Sequence, residues 1–197
     1  MTVNINPTDI TVKSWLLARQ TGDLLRNCMD QLFREYSITT EQYEVLVSTK
    51  YLSNRVKITD IARWLRRSTN SVSMIIDRMV KAGLVKRIRD RSDRRIVYVV
   101  ITSKAENILE LASPVCWETI KEILSPLSYE DRRTFVRLFE MVHYKALEYL
   151  NPGEDIEKIF KDRAESHARL MKQVPPYAQI TVHETKPQGG KKRKTIR

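Results

Sequence analysis

Nowhere in the 197-residue chain do about eighteen apolar residues run together, so no segment has the make-up of a membrane-spanning helix. Cysteine is scarce as well. Cys28 and Cys116 are far apart and lack the close pairing of zinc ligands, and two thiols do not make a disulfide scaffold. Three histidines, His143, His167 and His183, are too few and too scattered for a metal centre, so neither metal nor other cofactor is expected. The five glycines form no phosphate-cradling loop, and no nucleophile motif is present. The chain therefore reads as a non-enzyme. Its first ten residues, with Asn4, Pro7 and Asp9, lack the basic-then-apolar layout of a secretory leader, which leads us to expect a cytoplasmic protein.

What the chain does have is positive charge, a net +11, and its placement matters more than its size. Residues 50–104 hold 15 lysines and arginines against 4 acids, a local balance that by itself equals the net charge of the whole chain. The last fifteen residues add 6 basic groups against Glu184, and the rest of the chain is acidic enough to cancel them. A neutral body with one strongly basic stretch is the footprint of a polyanion partner, whereas a merely solvated face mixes its signs.

Apolar residues recur at helical spacing over 8–36 (Trp15, Leu16, Leu24, Leu25, Cys28, Met29, Leu32, Phe33), which predicts a long first helix, with a bend allowed at Gly22. Thr39 and Gln42 form a capping box for a second helix that reaches about residue 52. Thr59 is the expected cap of a short third helix over 60–66, Ser68 of a fourth over 69–82, and Gly83 the left-handed stop of the fourth. From Leu84 the period changes. Two β-rich runs, 84–89 and 96–101, flank a charged loop and predict a hairpin. Thr102 heads a fifth helix (103–125) and Ser128 with Asp131 a sixth (129–150). A seventh is expected over 154–172, followed by a polar basic tail.

The fold class is thus mainly α with a small β-hairpin wing, a winged helix-turn-helix, in which one helix enters the DNA major groove while the wing lies on the backbone. In the fourth helix Val72, Ile75, Ile76 and Met79 recur at core spacing, leaving Thr69, Asn70, Ser71, Ser73, Met74 and Arg78 to face bases. Asn pairs bidentately with adenine, Ser and Thr bond bases or phosphates, and Met touches a thymine methyl. Wing arginines such as Arg91, Arg94 and Arg95 suit a narrow minor groove, with Asp93 placed to orient a guanidinium. Lys57, Thr59, Arg63, Arg66, Arg67, Ser68, Lys86, Arg87 and Arg89 are the candidate phosphate contacts.

The series Ile38-Thr39 with Gln42, Ile61-Ala62, Leu65, Ser68, Ser71-Val72, Met79, Gly83-Leu84-Val85, Arg87, Asp90, Asp93-Arg94-Arg95 and Ile101-Thr102 resembles the multiple antibiotic resistance regulator (MarR) family. The likeness is close over about residues 37–106 and one of layout elsewhere. It implies a transcription regulator, often a repressor, that binds a pseudo-palindromic double-stranded operator as an obligate homodimer. It also implies that Arg95 enters the minor groove, oriented by Asp93, with Arg94 as a second contact. On this reading the chain divides into a dimerisation helix (1–36), the DNA-binding lobe (37–102), two further dimerisation helices (103–150), an extra helix (151–174) and a basic, disordered tail (175–197). The cell would be bacterial or archaeal and the protein nucleoid-associated.

Three positions depart from the family pattern: Arg91 stands where proline is common, Ala105 where glycine is usual, and Met74 where the reading helix often has a basic or polar residue. Relatives carry an effector pocket between the dimer helices and the DNA-binding lobe, for which Trp15, Tyr43, Trp64 and Trp117 are candidates toward a small aromatic or anionic ligand, though each fits a plain core equally well. Cys28 and Cys116 are expected as buried, inert thiols, with oxidation sensing the alternative for Cys28. Lys191–Lys194 could grip flanking phosphates or remain solvated. Two other readings stay open: an architectural DNA binder that ignores effectors, and a winged helix used only to bind protein.

Overall fold

The helical spacing of the N-terminal segment becomes a continuous helix α1, Ile10–Arg34, headed by Asp9, whose carboxylate accepts the Thr11 N–H at 2.7 Å. It passes through Gly22 without a break. The chain is seen here as a computed structural model that describes residues 9–52, 55–93, 96–158, 161 and 165. α1 ends in a left-handed turn at Ser37 (φ 57°), where the Ser37 and Ile38 N–H groups reach back to the Arg34 and Phe33 carbonyls.

Helix α2, Thr40–Leu52, starts from the expected capping box: Gln42 donates its N–H to the Thr39 hydroxyl at 3.2 Å and accepts the Thr39 N–H at 3.0 Å. A second anchor comes from α1. The Asp30 carboxylate accepts both the Thr40 hydroxyl (2.5 Å) and its N–H (3.2 Å), and the hydroxyl bond above all holds Asp30 below the usual carboxylate range.

A two-residue strand β1, Val56–Lys57, precedes helix α3, Ile58–Leu65, and corrects the expected start of that helix. Pairing of Val56 and Lys57 with Val99 and Tyr98 keeps them extended, so the helix begins at once and Thr59 falls inside its first turn. Lys57 holds the N-cap position and makes no side-chain cap bond. Helix α4, Thr69–Lys81, is capped as expected by Ser68, which accepts the Ser71 N–H at 3.1 Å. It stops at Gly83 (φ 70°), where the Gly83 and Leu84 N–H groups close onto the Val80 and Met79 carbonyls.

Strands β2, Val85–Arg89, and β3, Val97–Ile101, form the expected antiparallel hairpin, and β1 adds to its far edge in the order β1-β3-β2. Thr102 ties this sheet to helix α5, Ser103–Ile123: its hydroxyl donates to the Gly83 carbonyl at 2.8 Å and accepts the Ala105 N–H at the head of that helix. Helix α6, Tyr129–Leu150, opens on a complete Ser128–Asp131 capping box. Beyond it, residues 156–158, 161 and 165 are helical and Ile156 is buried. The remainder of the expected seventh helix, and the basic tail with Lys191–Lys194, lie outside the described residues.

Phe33, Val45, Leu46, Ile61, Val72, Ile76, Met79, Val85 and Val99 make up the heart of the core, and Leu109, Ala112 and Cys116 root α5 in it. α1 joins through its last turns, where Met29, Leu32 and Phe33 meet the core; Cys28 stands beside them but is exposed, which corrects the reading of it as buried. Cys116 is buried as expected, 3.9 Å from the Met29 sulfur, and burial pushes its thiol up. Among the described residues no helix is long and apolar enough to cross a membrane.

Candidate nucleic-acid interface

α4 separates its faces as its spacing predicts. Val72, Ile75, Ile76 and Met79 are buried, while Thr69, Asn70, Ser71, Met74 and Arg78 are exposed, Met74 at 65%. Met74 stands out as a large apolar side chain held in water beside polar neighbours, a placement that suits contact with a groove more than folding. The Ser71 hydroxyl lies 2.8 Å from that of Ser68, so the two form a pair at the helix start, where N–H groups point outward.

Ser73 does not join this face. It is half-buried, and its hydroxyl accepts Arg87 Nη2 at 3.2 Å. Arg87 also pairs with Asp77 of α4, Nη1 to Oδ1 at 2.6 Å. Ser73 and Arg87 thus meet each other across the α4–β2 seam.

Three arginines expected at phosphates are engaged within the chain, and charge alone could not foretell it. Arg66, at the end of α3, takes a left-handed conformation (φ 53°) and places Nη1 3.1 Å from Nδ1 of His143 on α6. Arg67, the next residue, turns the other way and grips α2, with Nη1 2.6 Å from Glu41 and Nη2 3.9 Å from Glu44. Arg87 is the third. Arg63 pairs locally with Asp60 at 3.4 Å yet leaves 80% of its side chain exposed. Lys57, Thr59, Ser68, Lys86 and Arg89 are exposed.

The wing loop owes its shape to Asp90, a residue whose role the sequence reading missed. Its Oδ1 accepts the Ser92 N–H (2.8 Å), the Ser92 hydroxyl and the Asp93 N–H (3.1 Å), and these bonds, the Ser92 hydroxyl foremost, hold the carboxyl below its usual range. Asp-x-Ser-Asp in a hairpin loop is the signal that could have found it. The Asp90 N–H to Ile96 carbonyl and Ile96 N–H to Asp93 carbonyl bonds, both 2.9 Å, then close the loop. Arg91 and Asp93 are exposed; Arg94 and Arg95, expected in the minor groove, lie outside the described residues.

The four aromatics proposed for an effector pocket separate into two groups. Tyr43 and Trp64 line one cleft of about 330 Å³ between α2 and α3, with Glu44, Val47, Leu65 and Arg66. Burial pushes the Glu44 carboxyl up against the pull of Arg67. Trp15 and Trp117 do not line it: they are exposed on α1 and α5, at 69% and 40%. Tyr43 is partly core, stacked on Phe33 at 4.2 Å with its hydroxyl bonded to Ser113. Among the described residues no three His, Cys, Asp or Glu side chains gather as a metal site.

A three-helix lobe with a capped α4 and a β-hairpin beside it defines a winged helix-turn-helix protein. Residues 38–97 match the model of the MarR family. It is 29% identical over 115 residues to the transcriptional activatory protein BadR of Rhodopseudomonas palustris, covering 57% of this chain and 66% of that one. The chain spans about half the length of other curated relatives such as the regulator HosA of Escherichia coli O157:H7, with 35% identity over 68 residues. In fold it is similar to MepR in the S. aureus MepR–DNA complex (TM-score 0.61, 23% identity, 65% of this chain and 94% of that one). That likeness bears on the fold alone.

Proposed function

We propose that the chain is a sequence-specific double-stranded DNA-binding transcription regulator, without enzymatic activity, that acts in the cytoplasm as a homodimer on a pseudo-palindromic operator. The observation that carries the reading is the outer face of α4. Thr69, Asn70, Met74 and Arg78 are exposed on a capped helix, on the lobe that also holds exposed Lys57, Arg63, Lys86 and Arg89. Bases would be read by that face, and phosphates bound by those cations with Ser68 and the first N–H groups of α4. Arg94 and Arg95 would enter the flanking minor groove, with Asp93 as orienting acid.

The exposed apolar faces of α1 and α6 support the dimer, since Leu16, Leu24, Leu138, Phe139 and Val142 would otherwise stay in water. Repression released by a small ligand is the mode of control we favour, and the cleft of Tyr43 and Trp64 is the place we assign to it. That ligand must bind two lobe spacings unequally, because equal binding shifts nothing.

Selection of bound duplexes from a random pool provides the operator on which to test the reading. Asn70→Ala is then expected to lose about 1–3 kcal/mol of discrimination per half-site between that duplex and a random one, seen as a loss of base preference at one position in each half-site. Equal losses on both duplexes would remove Asn70 from the reading face.

A further inference from the structure

Arg87 sits among the cations of the wing, yet its guanidinium is turned onto α4. β2 alternates, so Arg87 shares the face of buried Val85, two residues before it, and emerges toward α4. There Nη1 meets Asp77 at 2.6 Å, and Nη2 meets the Ser73 hydroxyl at 3.2 Å and the Ser73 carbonyl at 3.5 Å. Ser73 and Asp77 are one helical turn apart, so the two nitrogens of one planar fork hold two successive turns of the same helix. Only 35% of the Arg87 side chain remains exposed.

We propose that Arg87 is a positioning residue for DNA recognition: it braces the wing against α4 through Asp77 and Ser73 and makes no phosphate contact itself. The proposal rests on the DNA-binding function proposed for the chain. Two physical arguments support it. The reading helix and the wing must reach adjacent grooves at one fixed separation, and a seam already locked before contact leaves less freedom to lose on binding. An unpaired Asp77 on an exposed face of the reading helix would also repel the backbone, and the pair cancels that charge where it stands. A fork with two bonds fixes direction as well as distance, which a lysine cannot do.

Phosphate contact and bracing differ in what salt does. Each phosphate neutralised by a cation adds about 0.9 to the slope of log affinity against log salt, whereas a cation already paired within the protein adds none. The test compares wild type, Arg87→Lys and the charge-neutral double variant Asp77→Leu/Arg87→Leu on the selected and a random duplex between about 50 and 200 mM salt. Thermal melts check that each variant is folded. For both variants the expected result is an unchanged slope and a loss of about tenfold in selected-over-random discrimination, the size of one mismatched base pair. A slope lower by about two in the double variant, one phosphate contact from each protomer of the dimer, would place Arg87 on a phosphate and overturn the proposal, and full discrimination kept by Arg87→Lys would overturn the need for its fork. If wild type binds neither duplex, the DNA-binding reading fails and this role with it; a wild type that binds with its expected slope confines any failure to Arg87.

Discussion

Replacing Phe33 by alanine is expected to lower the unfolding free energy by about 3–5 kcal/mol, the range for a large aromatic removed from a tight core. Phe33 is 1% exposed and stacks on Tyr43 at 4.2 Å. Its surroundings are poorly able to collapse into the space it leaves, because Tyr43 is held by Ser113 and the α1–α2 junction by Asp30 and Thr40. The Phe33 carbonyl also accepts the Tyr36 and Ile38 N–H groups that turn the chain out of α1. Loss of the ring would therefore loosen the joint between the long helix and the winged-helix lobe. Urea denaturation should show a lower midpoint with an unchanged slope. A loss under about 1 kcal/mol would mean that this joint is not part of the cooperative core.

The second large effect is expected on assembly. Phe139 is 48% exposed on α6, with its ring 4.4 Å from that of Phe135, in the middle of an apolar face that no described residue of its own chain covers. If that face meets its copy across a twofold axis, glutamate at 139 places two like charges in an apolar interface. Phe139→Glu should raise the dimer dissociation constant by about three orders of magnitude, given several kcal/mol for each poorly paired buried charge. Sedimentation at low micromolar concentration should then find wild type as a dimer and the variant as a monomer. Operator affinity should fall with it, since the second lobe would no longer bind as part of one molecule. A variant that stays dimeric would move the interface away from this face of α6.

Features that depend on a few neighbouring residues could be read directly from the chain. Thr39 with Gln42, Ser68, Thr102 and Ser128 with Asp131 are local caps whose chemistry lies within three residues, and each forms as read. The left-handed turns at Ser37 and Arg66 were hidden because the usual marker is glycine; local backbone bonds close the first, and Arg66 reaches His143 on α6. β1 has two residues, too few to show a period, and its pairing with β3 decided where α3 begins.

The candidate site divides in the same way. The outer face of α4 followed from helical spacing, but the partners of Arg66, Arg67 and Arg87 lie between 10 and 77 residues away in sequence and no pattern marks them. Cys28 shows a related blind spot. An apolar stripe on a helix says that something covers it, not whether the cover comes from the same chain or from a second copy.

Binding of labelled duplex to wild-type protein, followed from about 50 to 200 mM salt, tests most directly whether this basic lobe is a surface for DNA. About six or more phosphate contacts per dimer require the affinity to fall by about a thousandfold or more across that range. Affinity that stays level, or no binding even at the lowest salt, would contradict it.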